Sequence, residues 1–170
     1  EWSAKYTDLN SGTIDCVWNG FTANTADDDG VLRSEKVDFS YNYMGNKQVI
    51  VAKADFIKEI KDAKSFAGKV GAVENGSAGQ DAAASIGATN IVAVQDQAAA
   101  LMEVAAATSD ACVIDITMAN AMTGEGSDYA DLAAGIKLTS EEYGVAFPKD
   151  SELTAKFNAF MDKLIENGTL

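Results

Sequence analysis

The sequence has no histidine, one proline and two cysteines among its 170 residues. Without histidine, Ser–His and Cys–His catalysis and the usual His-bearing zinc sites are excluded. No stretch approaches the roughly 20 apolar residues of a membrane-spanning helix. Basic residues are scarce as well, 13 against 26 acidic ones, and the resulting net charge of −13 argues against binding to nucleic acid or to an anionic membrane surface.

The two cysteines lie in similar apolar contexts, DCVWNG around Cys16 and ACVID around Cys112. Each is typical of a small hydrophobic residue in a buried strand. We expect no disulfide between them, because the architecture inferred below places them in different lobes. Cysteine usage therefore does not indicate the redox compartment.

Size and composition allow one sizeable domain or two small ones. The chain is 47% apolar and 23% charged, which is an ordinary balance for a globular protein with a buried core. The sequence opens directly into a helical pattern at Glu1, with no initiator Met and no visible signal peptide. We therefore expect a processed or truncated chain.

Strand and helix patterns alternate through the middle of the chain, which predicts a parallel sheet covered by helices. A first helix is predicted at 4–11, and strands are predicted at 13–18, 37–39, 48–53 and 143–147. An amphipathic helix is predicted at 151–167. Within the alternating region, strands are predicted at 69–73, 90–94, 111–116 and 135–138, and helices at 56–64, 96–108 and 118–122. A further helix is predicted to follow the loop 74–79 and to end at 86.

One arginine stands out in the stretch NGFTANTADDDGVLRSEKVDFS, which runs from residue 19 to 40. Arg33 follows an acidic loop and precedes a short apolar run. A guanidinium on a loop beside buried strands matches a carboxylate bidentately, so we predict that it holds the α-carboxylate of a free amino acid. The alternative is a surface arginine that pairs with the acidic loop. The loop itself, 27–30, fits no EF-hand spacing and is predicted to be a solvated turn rather than a calcium site.

Several motifs in order carry a family resemblance. The runs DLNSGTIDCVWNGFT, RSEKVDFS and KQVIVAK resemble the first lobe of the amino-acid-binding proteins of ABC importers, bacterial extracellular solute-binding proteins of family 3. The runs GKVGAVENGSAG, ACVID and YGVAFPKDSELTAKFNAFMDKLIENGTL continue the match, so the resemblance covers essentially the whole chain.

The resemblance implies the type II periplasmic-binding-protein fold, in which two α/β lobes trap a ligand between them. Two crossing strands, 48–53 and 143–147, would join the lobes. Lobe one would comprise 1–50 and 142–170, and lobe two 54–140. The family usually has a further segment before the position of Trp2, so lobe one is expected to be incomplete. A missing segment or a second chain would then complete it.

In lobe one, the resemblance implies ligand contacts from Trp2, Gly20, Thr22 and Arg33. The Trp2 ring would lie against the ligand, the alternative being that it packs the start of the helix. The carbonyl of Gly20 would take the α-ammonium, and the hydroxyl of Thr22 the α-carboxylate. Arg33 would be the carboxylate clamp, although the loop before it is longer than is usual in the family.

In lobe two, the resemblance implies contacts from Ser77, Ala78 and Asp115. The Ser77 hydroxyl and the backbone N–H of Ala78 would share the α-carboxylate with Arg33, since a helix start favours an anion. Plain N-capping by Ser77 is an equally good alternative. Asp115 would hold the α-ammonium, because it ends a parallel strand at the edge where such sheets bind ligands. Its alternative role is to cap the following helix.

The implied function is that of a solute-binding protein that captures a free, polar L-amino acid and delivers it to an ABC permease. We expect it outside the cytoplasmic membrane, in the periplasm or as a lipoprotein on the outer face, with no catalytic residue, cofactor or metal. A first alternative is an enzyme like cyclohexadienyl dehydratase on the same scaffold. A second is a ligand-binding sensor module. The sequence does not indicate which amino acid is bound.

Overall fold

Helices and strands alternate along most of the chain in the computed structural model, which describes residues 1–170. The strands are β1 (Asp38–Phe39), β2 (Met44–Asn46), β3 (Gln48–Lys53), β4 (Val70–Glu74), β5 (Asn90–Val94), β6 (Ala111–Asp115), β7 (Leu132–Lys137), β8 (Glu141–Tyr143) and β9 (Ala146–Phe147). The α-helices are α1 (Lys5–Asn10), α2 (Arg33–Lys36), α3 (Ala54–Ile57), α4 (Ala78–Ser85), α5 (Gln97–Ala105), α6 (Ile116–Met122) and α7 (Glu152–Glu166). None of the helices is both long enough and apolar enough to cross a membrane.

The chain divides into two compact units. The sheet unit comprises Glu1–Ser3 and Asn46–Ser140, and the terminal unit comprises Ala4–Gly45 and Glu141–Leu170. Each unit is described separately below.

The sheet unit is built on five strands in the order β5-β4-β6-β3-β7. Strand β4 runs parallel to β5 and β6, as the helix–strand alternation predicts, whereas β3 is antiparallel to both β6 and β7. The sheet is therefore mixed, and the prediction of a wholly parallel sheet is wrong. Residues Val49 to Ala52 of β3 are all completely buried, which suits a central strand whose two faces are both covered by helices.

Alternate residues of the central strands supply two separate apolar cores, because successive side chains of a strand point to opposite faces. On one face, Val49 and Val51 pack with Leu101 of α5. On the other face, Ile50 packs with Ala83 of α4. Helices thus cover the sheet on both sides, and the ends of β6 and α4 are held by close packing.

The terminal unit is organised around β1 and β9, which pair antiparallel so that Asp38 faces Phe147. An aromatic cluster packs beside this pair. The ring centroid of Phe157 in α7 lies 5.6 Å from that of Phe147 and 5.3 Å from that of Trp18. Helix α7 begins after Ser151, whose hydroxyl accepts a hydrogen bond from the backbone N–H of Leu153.

Three predicted elements differ from the structure. The strand predicted at 13–18 is wrong, because it is reduced to an isolated bridge between Val17 and Ala146. The helix predicted at 56–64 is wrong beyond α3, which ends at Ile57, because a separate 3-10 turn (Ala63–Phe66) follows with Asp62 as its N-cap. The strand predicted at 143–147 is interrupted between β8 and β9.

Both cysteines are free thiols in different environments. Cys112 is completely buried in β6, and burial raises the pKa of its thiol to about 12. Cys16 is half-buried outside any strand, which corrects its predicted place in a buried strand. Burial and the neighbouring carboxylate of Asp15 raise the pKa of Cys16.

Candidate functional site

Arg33 is the first residue of α2 and is only 1% exposed, so its predicted position on a loop is wrong. Its Nε donates to Oδ1 of Asp27 over 2.8 Å, and its Nη1 donates to the carbonyl oxygen of Thr22 over 3.5 Å. The guanidinium carbon lies 5.5 Å from the centroid of the Phe21 ring. Arg33 does pair with the acidic loop, as the alternative proposed, but as a buried group rather than an exposed one.

Asp27 gathers three donors, so this part of the predicted solvated turn is in fact structured. Its Oδ1 accepts from Arg33, and its Oδ2 accepts from Nζ of Lys36 at 2.7 Å and from the hydroxyl of Tyr6 at 2.6 Å. Burial alone would raise the pKa of Asp27, but the hydrogen bonds from Lys36 and Tyr6 and the charge of Arg33 outweigh it and lower that pKa. Burial and the same hydrogen bond raise the pKa of Tyr6. The run of aspartates is the only sign of this cluster in the sequence.

Thr22 and Gly20 lie on the segment that precedes the acidic loop. The hydroxyl of Thr22 donates to Oε2 of Glu141 over 3.1 Å, and both residues are buried. Gly20 has φ of +62°, and a Cβ built on it would lie 3.3 Å from Cζ of Tyr143. Both the backbone conformation and the ring therefore favour glycine at this position. Sequence reasoning did not identify Glu141, because a single carboxylate before a strand carries no distinctive pattern.

Asp115 lies at the carboxyl end of β6 and is surrounded by three carboxamide side chains, which we call the amide cradle: Asn46, Gln48 and Gln97. Oδ1 of Asp115 accepts from Nδ2 of Asn46 at 2.8 Å and from Nε2 of Gln48 at 2.5 Å. Oδ2 accepts from Nε2 of Gln97 at 2.8 Å, and the backbone N–H of Asp115 donates to Oε1 of Gln97 at 3.1 Å. Gln97 therefore holds both the side chain and the backbone of Asp115.

The amide cradle orients the carboxylate without neutralising it, because carboxamides donate hydrogen bonds but carry no charge. Although Asp115 immediately precedes α6, its side chain makes no capping hydrogen bond to that helix. The alternative capping role is therefore not observed. A negative charge held at the carboxyl edge of a sheet is well suited to bind an ammonium group.

Ser77 and Ala78 form the start of α4 in the same unit. The hydroxyl of Ser77 accepts from the backbone N–H of Gln80 at 3.2 Å, so the N-capping alternative is observed. A Cβ on Gly79 would lie 2.6 Å from the carbonyl oxygen of Val113 and 3.0 Å from Oε1 of Gln48. The first turn of α4 thus packs against the same end of the sheet as the amide cradle.

The predicted site residues are distributed over the two units. Trp2 is half-buried in the opening 3-10 turn, Trp2–Ala4, as a member of the sheet unit. The predicted residues of the sheet unit are Trp2, Ser77, Ala78 and Asp115, and those of the terminal unit are Gly20, Thr22 and Arg33. Their roles toward a ligand stay predictions. Sequence reasoning missed Asp27 and the amide cradle, which orient Arg33 and Asp115.

Sequence comparison relates the whole chain to one family. The profile of the bacterial extracellular solute-binding proteins, family 3, matches residues 1–170. The arginine-binding extracellular protein ArtP of Bacillus subtilis (strain 168) is 28% identical over 176 residues, which cover 100% of this chain and 65% of ArtP. The chain therefore spans less than two thirds of the length of this relative.

Solved structures show the same relationship. The arginine-, lysine-, histidine-binding protein ArtJ from Geobacillus stearothermophilus matches with a TM-score of 0.83 at 29% identity, covering 96% of this chain and 69% of ArtJ. An ABC uptake transporter substrate-binding protein from Streptococcus pneumoniae, solved with bound histidine, matches with a TM-score of 0.79 at 32% identity, covering 98% of this chain and 69% of that one. The predicted α/β fold of type II periplasmic-binding proteins is thereby confirmed, and this chain covers part of it.

Proposed function

The chain belongs to the bacterial extracellular solute-binding proteins of family 3, and from this premise we propose that the protein captures a free L-amino acid outside the cytoplasmic membrane and delivers it to an ABC permease. The observation that carries the proposal is that two groups of opposite charge, Arg33 and Asp115, are each held in a fixed orientation by their own hydrogen bonds. These are the groups that the two ends of a zwitterion require.

In this proposal Arg33 binds the α-carboxylate and Asp115 binds the α-ammonium. Burial supports the first role, because a guanidinium removed from water interacts more strongly with a carboxylate than an exposed one does. The amide cradle supports the second role, because it fixes Asp115 before the ligand arrives and so reduces the ordering cost of binding.

The remaining predicted residues have roles toward the ligand in the same proposal. Two further groups help to bind the α-carboxylate. One is the hydroxyl of Thr22, which Glu141 orients, and the other is the start of α4, with Ser77 and the backbone N–H of Ala78. The Gly20 carbonyl assists with the ammonium, and the Trp2 ring covers part of the ligand. The lobe boundaries predicted from the sequence, 54–140 for one lobe and 1–50 with 142–170 for the other, belong to the same proposal.

Among amino acids we propose a basic one, with L-arginine as the first to test. Two relatives are named for arginine binding, and a third relative was solved with bound histidine. The net charge of −13 also favours the approach of a cation over that of an anion. A permease partner is consistent with the ABC uptake transporter to which the Streptococcus protein belongs.

We propose binding without turnover. Two named relatives are binding proteins, and the three side chains that donate to Asp115 are carboxamides, which cannot exchange a proton with a substrate. An assay for prephenate or arogenate turnover tests this part directly. Product formation above the uncatalysed rate would overturn it.

The main experiment is calorimetry of the purified protein against each of the twenty L-amino acids. We expect binding heat from a small set that includes L-arginine, and a matching rise in melting temperature, because a ligand that binds only the folded state stabilises it. Agmatine, which lacks the α-carboxylate of arginine, serves as the matched control and should bind more weakly. Absence of heat and of thermal shift with all twenty would overturn the proposal.

A further inference from the structure

We propose that Asp27 is a positioning residue, which fixes the orientation of the Arg33 guanidinium so that it can receive the α-carboxylate of the ligand. This inference rests on the proposed function above, and it assigns a role to the acidic loop. It also explains how an arginine that follows a longer loop can still be held in one place.

Asp27 and Arg33 are in direct contact. A hydrogen bond from Nε to Oδ1 of Asp27, 2.8 Å long, restrains rotation of the guanidinium plane about the end of the side chain. The ring of Phe21, 5.5 Å from the guanidinium carbon, lies against the same group. Asp27 thus supplies a directional restraint and Phe21 a packing one.

Asp27 is itself held in place by hydrogen bonds. Its two carboxylate oxygens have separate partners, since Oδ1 receives Arg33 while Oδ2 receives the hydroxyl of Tyr6 and the ammonium of Lys36. Lys36 is anchored in turn by Asp29 at 2.7 Å. A carboxylate with three donors on two oxygens has little freedom to rotate away from Arg33.

The backbone fixes the distance between Asp27 and Arg33. The segments before and after the loop pair through a bridge between Ala26 and Leu32. The N–H of Asp27 donates to the carbonyl of Val31 at 3.0 Å, and the N–H of Arg33 donates to the carbonyl of Thr25 at 3.1 Å. The loop therefore folds back on itself and presents Asp27 to Arg33 from six positions earlier in the chain.

The test compares the affinities of two probes, L-arginine and agmatine. If the calorimetric panel selects another amino acid, the probes are that amino acid and its decarboxylated amine. In Asp27→Ala we expect affinity for the amino acid to fall by about tenfold or more, the range for losing a hydrogen bond to a charged group. Affinity for the amine should change little, so the ratio between the two affinities narrows. A merely structural role would weaken both probes in parallel and leave the ratio unchanged.

Two further variants keep the test decisive if Asp27→Ala folds poorly. Asp27→Asn preserves the shape but loses the charge and should show an intermediate loss, while Asp27→Glu retains a carboxylate and should recover part of the selectivity. Asp28→Asn is the matched control, because it removes the same charge from the same loop at an exposed residue; its ratio of amino-acid affinity to amine affinity should equal that of the wild type.

The outcomes separate the two proposals. Binding of no amino acid by the wild-type protein would overturn the proposed function and this inference with it. If the wild type binds normally but the ratio of amino-acid affinity to amine affinity is unchanged in both Asp27→Ala and Asp27→Asn, the inference alone is overturned. A narrowed ratio in the Asp27 variants but not in Asp28→Asn supports both.

Discussion

The two candidate binding groups are oriented in opposite ways. Arg33 in the terminal unit is held by formal charges, since Asp27, Lys36 and Asp29 form a chain of ion pairs that begins at its guanidinium. Asp115 in the sheet unit is held by the neutral amide cradle. Arg33 is therefore oriented by side chains that titrate, and Asp115 by side chains that do not.

This contrast has a physical consequence for each site. In the terminal unit the two cations and two anions of the cluster balance, so the cluster is stable without a ligand but depends on the ionisation of Asp27. In the sheet unit the carboxamides that hold Asp115 carry no charge, so they add no cation that would compete with an ammonium group. Mutations in the two units should therefore have different consequences.

Replacing Asp115 with Asn should have the largest effect on binding, because it removes the charge that the amide cradle presents. We expect a loss of about 2–5 kcal/mol, which corresponds to at least about 30-fold in affinity for the bound amino acid. Calorimetry measures the change, and the exposed residue Asp128, replaced by Asn, is the control in the same unit. Unchanged affinity in Asp115→Asn would mean that Asp115 does not contact the ligand.

Replacing Gln97 with Leu should have the next largest effect, because Gln97 holds both the side chain and the backbone of Asp115. Losing a hydrogen bond to a charged group costs about 1.5–3 kcal/mol, so we expect affinity to fall by about tenfold or more. The control is Gln95→Leu, an exposed glutamine two residues earlier. Equal affinities in the two variants would show that the amide cradle does not orient Asp115 for binding.

Replacing Ser77 with Ala should lower stability more modestly, by about 1 kcal/mol, because it removes the N-cap of α4. In a chain of this size that corresponds to a fall in melting temperature of about 2–4 °C. Calorimetric or circular-dichroism melting measures it, with Ser85→Ala at the other end of the helix as the control. A melting temperature equal to that of the wild type would argue against the capping role.

The smallest effect concerns pH and the charged cluster of the terminal unit. Because the pKa of folded Asp27 lies below its ordinary value of 3.8, its contribution to stability is fully present above pH 3.8 and is lost as the pH falls through the lower folded value. Asp27→Asn should therefore destabilise the protein near pH 6, and the deficit relative to the wild type should shrink as the pH falls below 3.8 through the folded pKa. Melting curves across this range test the sign, and a deficit that is constant with pH would contradict it.

Much of the fold could be predicted because strand and helix patterns are local. The apolar run in β3 and the alternation that follows it predict a helix-covered sheet, and strand β5 has the predicted bounds. The direction of β3 could not be predicted, since a buried strand has the same pattern whether its neighbours run parallel or antiparallel. Helix α2 has only four residues, which is too short for a helical period to show in the sequence.

The candidate site was predictable only in part. Asp115 ends a clear strand, and Arg33 precedes a recognisable motif, so both could be selected from the sequence. The amide cradle could not, because Asn46, Gln48 and Gln97 come from separate segments and meet only through the sheet. Asp27 was visible as part of an acidic run, but the run alone does not reveal which aspartate faces Arg33.

The unequal burial of the two thiols has a practical consequence. Cys112 is shielded from solvent and remains protonated at neutral pH, whereas Cys16 is partly accessible. Thiol chemistry depends on access and on the thiolate form. A maleimide dye should therefore label Cys16 and leave Cys112 unmodified, placing a fluorescent reporter in the terminal unit without the introduction of a new cysteine.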